Sequence, residues 1–375
     1  MPPPGIDLPL LLTVLALVGF GLLMVYSSSF IFAQERTGDG FAFIKKQLLF
    51  SLSGVGLMAA ICRLDYRKWA TSVYPALGLA TLLLALVMIP GLGFKAGGAQ
   101  RWIRLGALSF QPGELAKFAV LLFVARQLDY KQARAGGQTA GILSSFLVPL
   151  PALILLLAQP DFGAAVMIVA VVLALMFVGG VPKKYLIAAI LLGVIAAAWL
   201  ALGSPYRRAR VASFLDPWQD PAGKGFQIIQ SLVGFHNGSF WGVGLGNGRE
   251  KLFFLPEAHN DFIFAVIGEE LGFIGVAAVL LAFVYFVYRG FKIGWTSYRH
   301  HGDRFGLYLA VGITLALGLQ GFVNMAVAVG MLPTKGLNLP FISYGGSALL
   351  VDLCAVGILL SISRGPSRGR GWLHK

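Results

Sequence analysis

An all-α polytopic membrane protein is what this sequence predicts, on three observations. Of its 375 residues 57% are hydrophobic and 12% charged, and the mean hydropathy is +0.77, outside the usage of soluble globular chains. Apolar runs recur at about the length that crosses ~30 Å of hydrocarbon. No low-complexity linker or inverted repeat divides the chain, so residues 1–375 read as a single membrane domain.

The runs lie at 9–32, 47–62, 74–90, 114–128, 142–158, 162–180, 185–202, 262–288, 305–330 and 345–362, which makes about ten transmembrane helices. The first is too long for a signal-peptide core and lacks a basic segment ahead of it, so it is expected to be retained. With the N-terminus inside, the short inner segments carry 15 Lys and Arg against 3 Asp. The much longer outer segments carry 13 with 8 carboxylates, so both termini are expected to be cytoplasmic. Residues 363–375 then form a basic cytoplasmic tail. The formal charge of +14 is read as loops meeting an anionic lipid surface, not as nucleic-acid binding. Cys62 and Cys354 alone support neither a disulfide frame nor a Cys/His metal site.

Residues 203–261 form a large outer loop between the seventh and eighth helices, far longer than an ordinary connection. Within it Phe226–Phe235 is apolar but too short to span, and suits an interfacial helix. The glycines of Gly238–Arg249 resemble a phosphate-cradling spacing. No strand precedes them, and tight turns with close helix packing are the favoured reading.

Ionisable chemistry gathers in three outer segments. In Gly97–Lys117, Pro112 suits the first position of a helix and Glu114 its first turn. Lys117 lies three residues on, where it can pair with Glu114 and stand at the membrane edge near Arg101 and Arg104. Such cations suit a diphosphate, and Trp102 suits an interfacial anchor or a sugar face. In Met331–Ser347, Lys335 adds charge, and Gly345-Gly346 allow close backbone approach where the last helix begins. In Leu255–Gly272, Glu257 and Asp261 are i, i+4 and share a face if the helix already starts near Pro256. Glu269 then lies about 12 Å deeper. Glu269 and Glu270 are expected to bond neighbouring helices or backbone, and His259 to be a satisfied interfacial side chain. Asp261 is the best-placed acid.

Arg101-Trp-Ile with Phe110-Gln-Pro-Gly-Glu-Leu-Ala-Lys117, Leu255-Pro-Glu-Ala-His-Asn-Asp-Phe-Ile-Phe264 and Leu339-Pro-Phe-Ile-Ser-Tyr-Gly-Gly-Ser347 together resemble the SEDS family of bacterial cell-wall proteins, nearly end to end. Asp216-Pro-Trp-Gln-Asp-Pro221, Gly246-Asn-Gly248, Ala258 and Gly268-Glu-Glu-Leu271 look like the division-type members more than the elongation-type ones. Asn260, Ala348 and Asp352 depart from the family pattern, Asp352 suggesting an added polar contact between helices or a protonated acid.

The resemblance implies a peptidoglycan glycosyltransferase of the inner membrane at the division septum, polymerising lipid II, a disaccharide-pentapeptide on undecaprenyl diphosphate. Asp261 would be the base for the acceptor hydroxyl. Arg101, Arg104, Lys117 and one or more of Arg207, Arg208, Arg210 and Lys335 would face the diphosphate. Trp102, Glu114, Glu257, His259, Ser343, Tyr344 and Gly345 complete the expected substrate site. The expected partners are a class B penicillin-binding transpeptidase, other division membrane proteins and membrane lipids. No cofactor is called for with certainty; a divalent cation, Mg or Mn, bridging Asp261 or Glu257 to the diphosphate stays open. A lipid II flippase is the rival class.

Overall fold

The computed structural model describes residues 5–96, 99–106, 108–133, 144–203, 213–223, 225–256, 258–334 and 336–365. Its helices are α1 (Leu8–Thr37), α2 (Ala42–Arg63), α3 (Val73–Val87), α4 (Pro112–Ala133), α5 (Leu150–Ala158), α6 (Phe162–Val178), α7 (Lys183–Leu202), α8 (Phe226–Gly238), α9 (Ile263–His301), α10 (Arg304–Ala328) and α11 (Gly346–Ser363). A helix thus lies on every apolar run read from the sequence. By length and composition, α1, α2, α9, α10 and α11 can each cross a bilayer, and Val73–Val87, Ser144–Ala158 and Phe162–Val178 are shorter apolar helices. The protein is a multi-pass membrane protein. The basic tail expected at 363–375 lies outside the described residues beyond Gly365.

Helix ends follow local chemistry. Asp7 caps α1 by accepting from the Leu10 amide at 3.0 Å, and its carboxylate also receives the Arg289 guanidinium of α9 at 2.5 Å. Asp303 caps α10 through the Gly306 amide and accepts from Ser297 Oγ and the Tyr66 hydroxyl. Between α9 and α10 the Gly290-xxx-Gly294 stripe brings the helices together. A Cβ at Gly290 would stand 2.1 Å from Thr314 Oγ1, as expected where packing between apolar helices depends on backbone proximity.

A small sheet, which the sequence pattern does not announce, fills the connection before α4. Strands β1 (Gly93–Ala96), β2 (Ala99–Leu105) and β3 (Leu108–Phe110) pair antiparallel in the order β1-β2-β3, with Trp102 across from Phe94 and Arg104 across from Ser109. Alternation over so few residues gives little periodic signal. Gly106, at φ 64°, makes the turn from β2 to β3.

The helix that follows Asp261 is broken, at Gly272, where φ is 65° and ψ is −160°. The break frees backbone groups, and the glycine-rich stretch after α8 meets them. Val243 N donates to Glu269 O and Gly244 N to Glu270 O, both at 3.0 Å; Phe273 N donates to Ser239 O at 3.0 Å and Ile274 N to Phe240 O at 3.4 Å. The glycines at 238–248 therefore serve close packing, as the sequence suggests, because backbone polar groups at this depth need internal partners.

Gly272→Ala is predicted to lower the apparent unfolding temperature in detergent by several degrees. Its Cβ would sit 2.4 Å from Gly242 N, and its backbone region costs a side chain about 1–3 kcal/mol. Gly19→Ala, exposed on α1 with nothing within 4 Å, should leave that temperature within a degree or two.

Candidate functional site

The three ionisable segments meet. Pro112 opens α4, and the Gln111 amide just before it donates to Ser347 Oγ of α11 at 3.2 Å. One turn into α4, Lys117 Nζ is 2.7 Å from Glu114 Oε2, the i, i+3 pair the sequence predicts. The Lys117 side chain is 6% exposed, so it is not the open membrane-edge cation that its position suggests. Its ammonium also donates to Gln320 Oε1 of α10 at 2.5 Å and lies 4.0 Å from Asp352 Oδ1 of α11. Asp352 thus provides the added interhelical contact. Removing Lys117 would leave the buried Asp352 and the part-buried Glu114 carboxylates without their shared cation.

Asp261 lies in a turn, because α9 begins only at Ile263. The shared helical face expected for Glu257 and Asp261 therefore does not form as a continuous helix from Pro256. Instead, the backbone carbonyls of 259–261 are each held from elsewhere. Tyr344 N donates to His259 O at 2.9 Å, Ser343 Oγ to Asn260 O at 2.7 Å, and Asn324 Nδ2 to Asp261 O at 2.8 Å. Ser343 Oγ also accepts from Leu339 N at 2.8 Å, closing its own loop. The Asp261 carboxylate lies over Gly336, where a Cβ would stand 3.2 Å from Oδ2.

The 339–347 segment is anchored on its other side by Gln47 of α2, which donates to Ser343 O at 3.1 Å and accepts from Gly345 N at 3.3 Å. The Gly345 amide, expected to face a ligand, is engaged by Gln47. Phe341 takes φ 67°, a strained conformation for a side chain with a Cβ, and its buried ring packs edge-on against Phe286. His259 is buried among Phe32, Phe43 and Tyr344, with ring centroids 4.9–5.7 Å away. This cluster brings α1 and α2 to the site.

The arginines are engaged as well. Arg101 donates to the carbonyls of Gln159 and Pro160 and lies 3.7 Å from Asp161 Oδ1, which ties the sheet to the α5–α6 turn. Burial raises the Asp161 carboxyl above its ordinary range, and Arg101 partly offsets this. Arg104 is exposed and stacks over Phe94 at 4.1 Å, while Trp102 is half-buried. Arg207, Arg208, Arg210, Glu257 and Lys335 lie outside the described residues.

Residues absent from the sequence-based site are Gln47, Asp161, Gln320, Asn324, Phe32 and Phe43. Gln320 and Asn324 carry a readable signal: two amides at i, i+4 in an otherwise apolar span, where a polar side chain needs a partner.

A second buried cluster holds Glu250, Glu269 and Glu270. Glu269 accepts from the amides of Arg249 and Glu250 at 2.8 and 3.2 Å, and Glu270 pairs with Lys251 at 2.6 Å and accepts from Ser27 Oγ at 2.7 Å. These are the helix and backbone contacts expected of them. Glu250 itself opens a π-helical turn, Glu250–Phe254, that leads into the Asp261 loop. Its Oε2 is buried without a hydrogen-bond partner, and burial first, then the neighbouring Glu269 carboxylate, pushes its carboxyl up to about 7.

The fold and this site define a polytopic membrane protein with an ionisable centre where a carboxylate-bearing loop, a buried lysine and the start of the last helix converge. Residues 8–367 match the cell cycle protein family that takes in FtsW, RodA and SpoVE, and the chain belongs to that family. It is 46% identical over 357 residues to the probable peptidoglycan glycosyltransferase FtsW of Geobacter sulfurreducens, covering 95% of each chain. The protein of that name from Trichlorobacter lovleyi is 46% identical over 360 residues, covering 96% of this chain and 93% of its own. Among solved structures, one of a peptidoglycan synthase complex, described as coordinating polymerization and crosslinking, superposes with a TM-score of 0.77 at 32% identity, covering 96% of this chain and 98% of the other. The rod shape determining protein RodA of Thermus thermophilus gives 0.69 at 29% identity, covering 96% of this chain and 97% of its own.

Glu250 predicts a pH dependence of stability. Its folded pKa of about 7 stands above the ordinary 4.5, so its contribution is fully present below about pH 4.5 and is lost as pH rises through about 7. Glu250→Gln should flatten the fall in unfolding temperature between pH 5 and pH 8, measured by thermal unfolding in detergent; an unchanged slope would remove Glu250 as its source.

Proposed function

We infer that this protein is a peptidoglycan glycosyltransferase of the division type, which polymerises lipid II at the cytoplasmic membrane of the septum. The observation that carries the reading is Asp261, a carboxylate on a loop whose carbonyls are held from three sides, linked through Asn324 and Gln320 to the buried Lys117. Relatives covering nearly the whole chain bear the name of this activity.

In the reaction, the bond from the donor sugar's anomeric carbon to the diphosphate oxygen breaks as the acceptor hydroxyl forms the new glycosidic bond. Asp261 receives the hydroxyl proton, and the undecaprenyl diphosphate leaves with the bonding electron pair. Arg104, the exposed guanidinium on β2 ahead of α4, would offset the developing charge. Among the described residues no three metal-ligating side chains gather. A Mg or Mn ion, if bound, would be held by Asp261 and would supply positive charge to the leaving group.

Transfer chemistry is favoured over a flippase because the deeper acids are bound within the protein. Glu269 is held by backbone amides, Glu270 by Lys251 and Ser27, and Asp352 faces Lys117. Both termini are assigned to the cytoplasm on the charge asymmetry of the loops. A class B penicillin-binding transpeptidase is the proposed partner, supported by the likeness to a complex that joins polymerization to crosslinking. Other division membrane proteins and anionic lipids would complete its surroundings.

Asp261→Asn keeps size and removes the basic site, so strand synthesis from lipid II should fall by a factor on the order of 10² or more, at unchanged expression. Gel analysis of strand length beside lipid II transport in liposomes checks this. A variant that polymerises normally would remove Asp261 as the base, and one that loses transport alone would favour the flippase. Co-purification with the class B partner should be accompanied by faster strand synthesis than the isolated chain gives; full activity of the isolated chain would count against an activating partner.

A further inference from the structure

Asn324 sits in the last turns of α10, 2% exposed, inside an apolar helix. Its amide makes an unusual pair of bonds. Both Nδ2 donors go to backbone carbonyls from two separate loops, Asp261 O at 2.8 Å and Leu337 O at 2.6 Å. The Oδ1 atom is buried with no hydrogen-bond partner. The side chain is therefore oriented by its donors alone, and an acceptor is left unsatisfied to keep them there.

One turn earlier on the same face, Gln320 grips the next carbonyl of the Leu337 loop. Its Nε2 donates to Asn338 O at 3.1 Å and its Oε1 accepts from Lys117. Two successive carbonyls, of Leu337 and Asn338, are thus gripped by two successive amides of one helix. The nearer amide extends its grip to the residue that carries the base.

The placement has a chemical consequence. Gly336 immediately precedes the gripped Leu337, and the Asp261 carboxylate lies against Gly336. By joining Asp261 O to Leu337 O, Asn324 sets the distance between the carboxylate-bearing loop and the surface on which that carboxylate rests. Without the amide, the part-buried Asp261 carbonyl and the buried Leu337 carbonyl lose their common donor, and that tie between the two loops is lost.

We propose that Asn324 is a positioning residue for Asp261, holding the base over Gly336 through its two bonds to Asp261 O and Leu337 O. This rests on Asp261 being the base. Asn324 touches no reacting atom and acts through the geometry of the proton acceptor, so its loss lowers turnover and leaves lipid II binding intact. Misplacement of a catalytic group by about an ångström is enough to cost up to ~10²-fold.

The test uses the purified chain with its class B partner and lipid II, comparing Asn324→Ala, Asn324→Ser, Asp261→Asn and the Asn324→Ala/Asp261→Asn double variant. The Ala variant should lower kcat between ~10- and ~10²-fold with KM unchanged, and the Ser variant, which keeps one donor, should fall between it and wild type. The double variant should be no slower than Asp261→Asn alone, because positioning has no effect once the base is gone. A kcat for Asn324→Ala within twofold of wild type, or the same fold-loss in both backgrounds, overturns the proposal.

If Asn324→Ala does not accumulate as folded protein, Asn324→Ser and Gly336→Ala decide. Gly336→Ala leaves Asn324 in place and sets a Cβ 3.2 Å from Asp261 Oδ2, so it should lower kcat with KM unchanged, and wild-type kcat in both overturns the proposal. Wild-type turnover by Asp261→Asn would instead remove the base itself, a result read without reference to the Asn324 variants.

Discussion

A backbone carbonyl buried away from water costs several kcal/mol unless a donor reaches it. The shape of the Asp261 loop follows from that requirement. His259, Asn260 and Asp261 precede the first turn of α9, so their carbonyls are outside the regular helix, and each takes a donor from a different group: a backbone amide, a serine hydroxyl and an asparagine amide. Those donors belong to α10 and to the segment before α11. Asp261 can occupy one place only if those elements are already packed.

The same requirement explains the glycine-rich stretch. Breaking α9 at Gly272 exposes carbonyls and amides on both sides of the break, and the chain from Ser239 to Gly244 supplies partners for them. Glycines are needed there because the two backbones approach too closely for side chains. A Cβ at Gly242 would stand 2.2 Å from Glu270 O. The acids next to the break, Glu269 and Glu270, hold the Arg249 and Glu250 amides and Lys251, so the chain ahead of the Asp261 loop is joined to the helix that follows it. In this way the loop and the site form one structural unit.

Some of the site is legible without coordinates. Glu114 and Lys117 pair because three residues of helix bring them together, whatever surrounds them. Glu269 and Glu270 are too deep for open solvent, and both are bonded internally. Spacing misleads where it is taken as geometry. It places Asp261 on a helix from Pro256, but α9 begins at Ile263. It offers Arg101 as an open diphosphate ligand, yet the guanidinium meets the Gln159 and Pro160 carbonyls and Asp161. It offers Lys117 as a membrane-edge cation, but α10 and α11 close over it.

By itself, the sequence determined the membrane class, the helical runs, the family and which side chains could carry charge. These follow from composition, from the length of apolar segments and from neighbours within one helical turn, all of which are local. Only the tertiary structure decided which partner each group meets. Asn324 lies 63 residues from Asp261, and Lys117 lies 203 from Gln320. Whether such a pair bonds depends on the depth and rotation at which separate helices pack. Those are set by the fit of many side chains at once, and no single spacing in the chain encodes them.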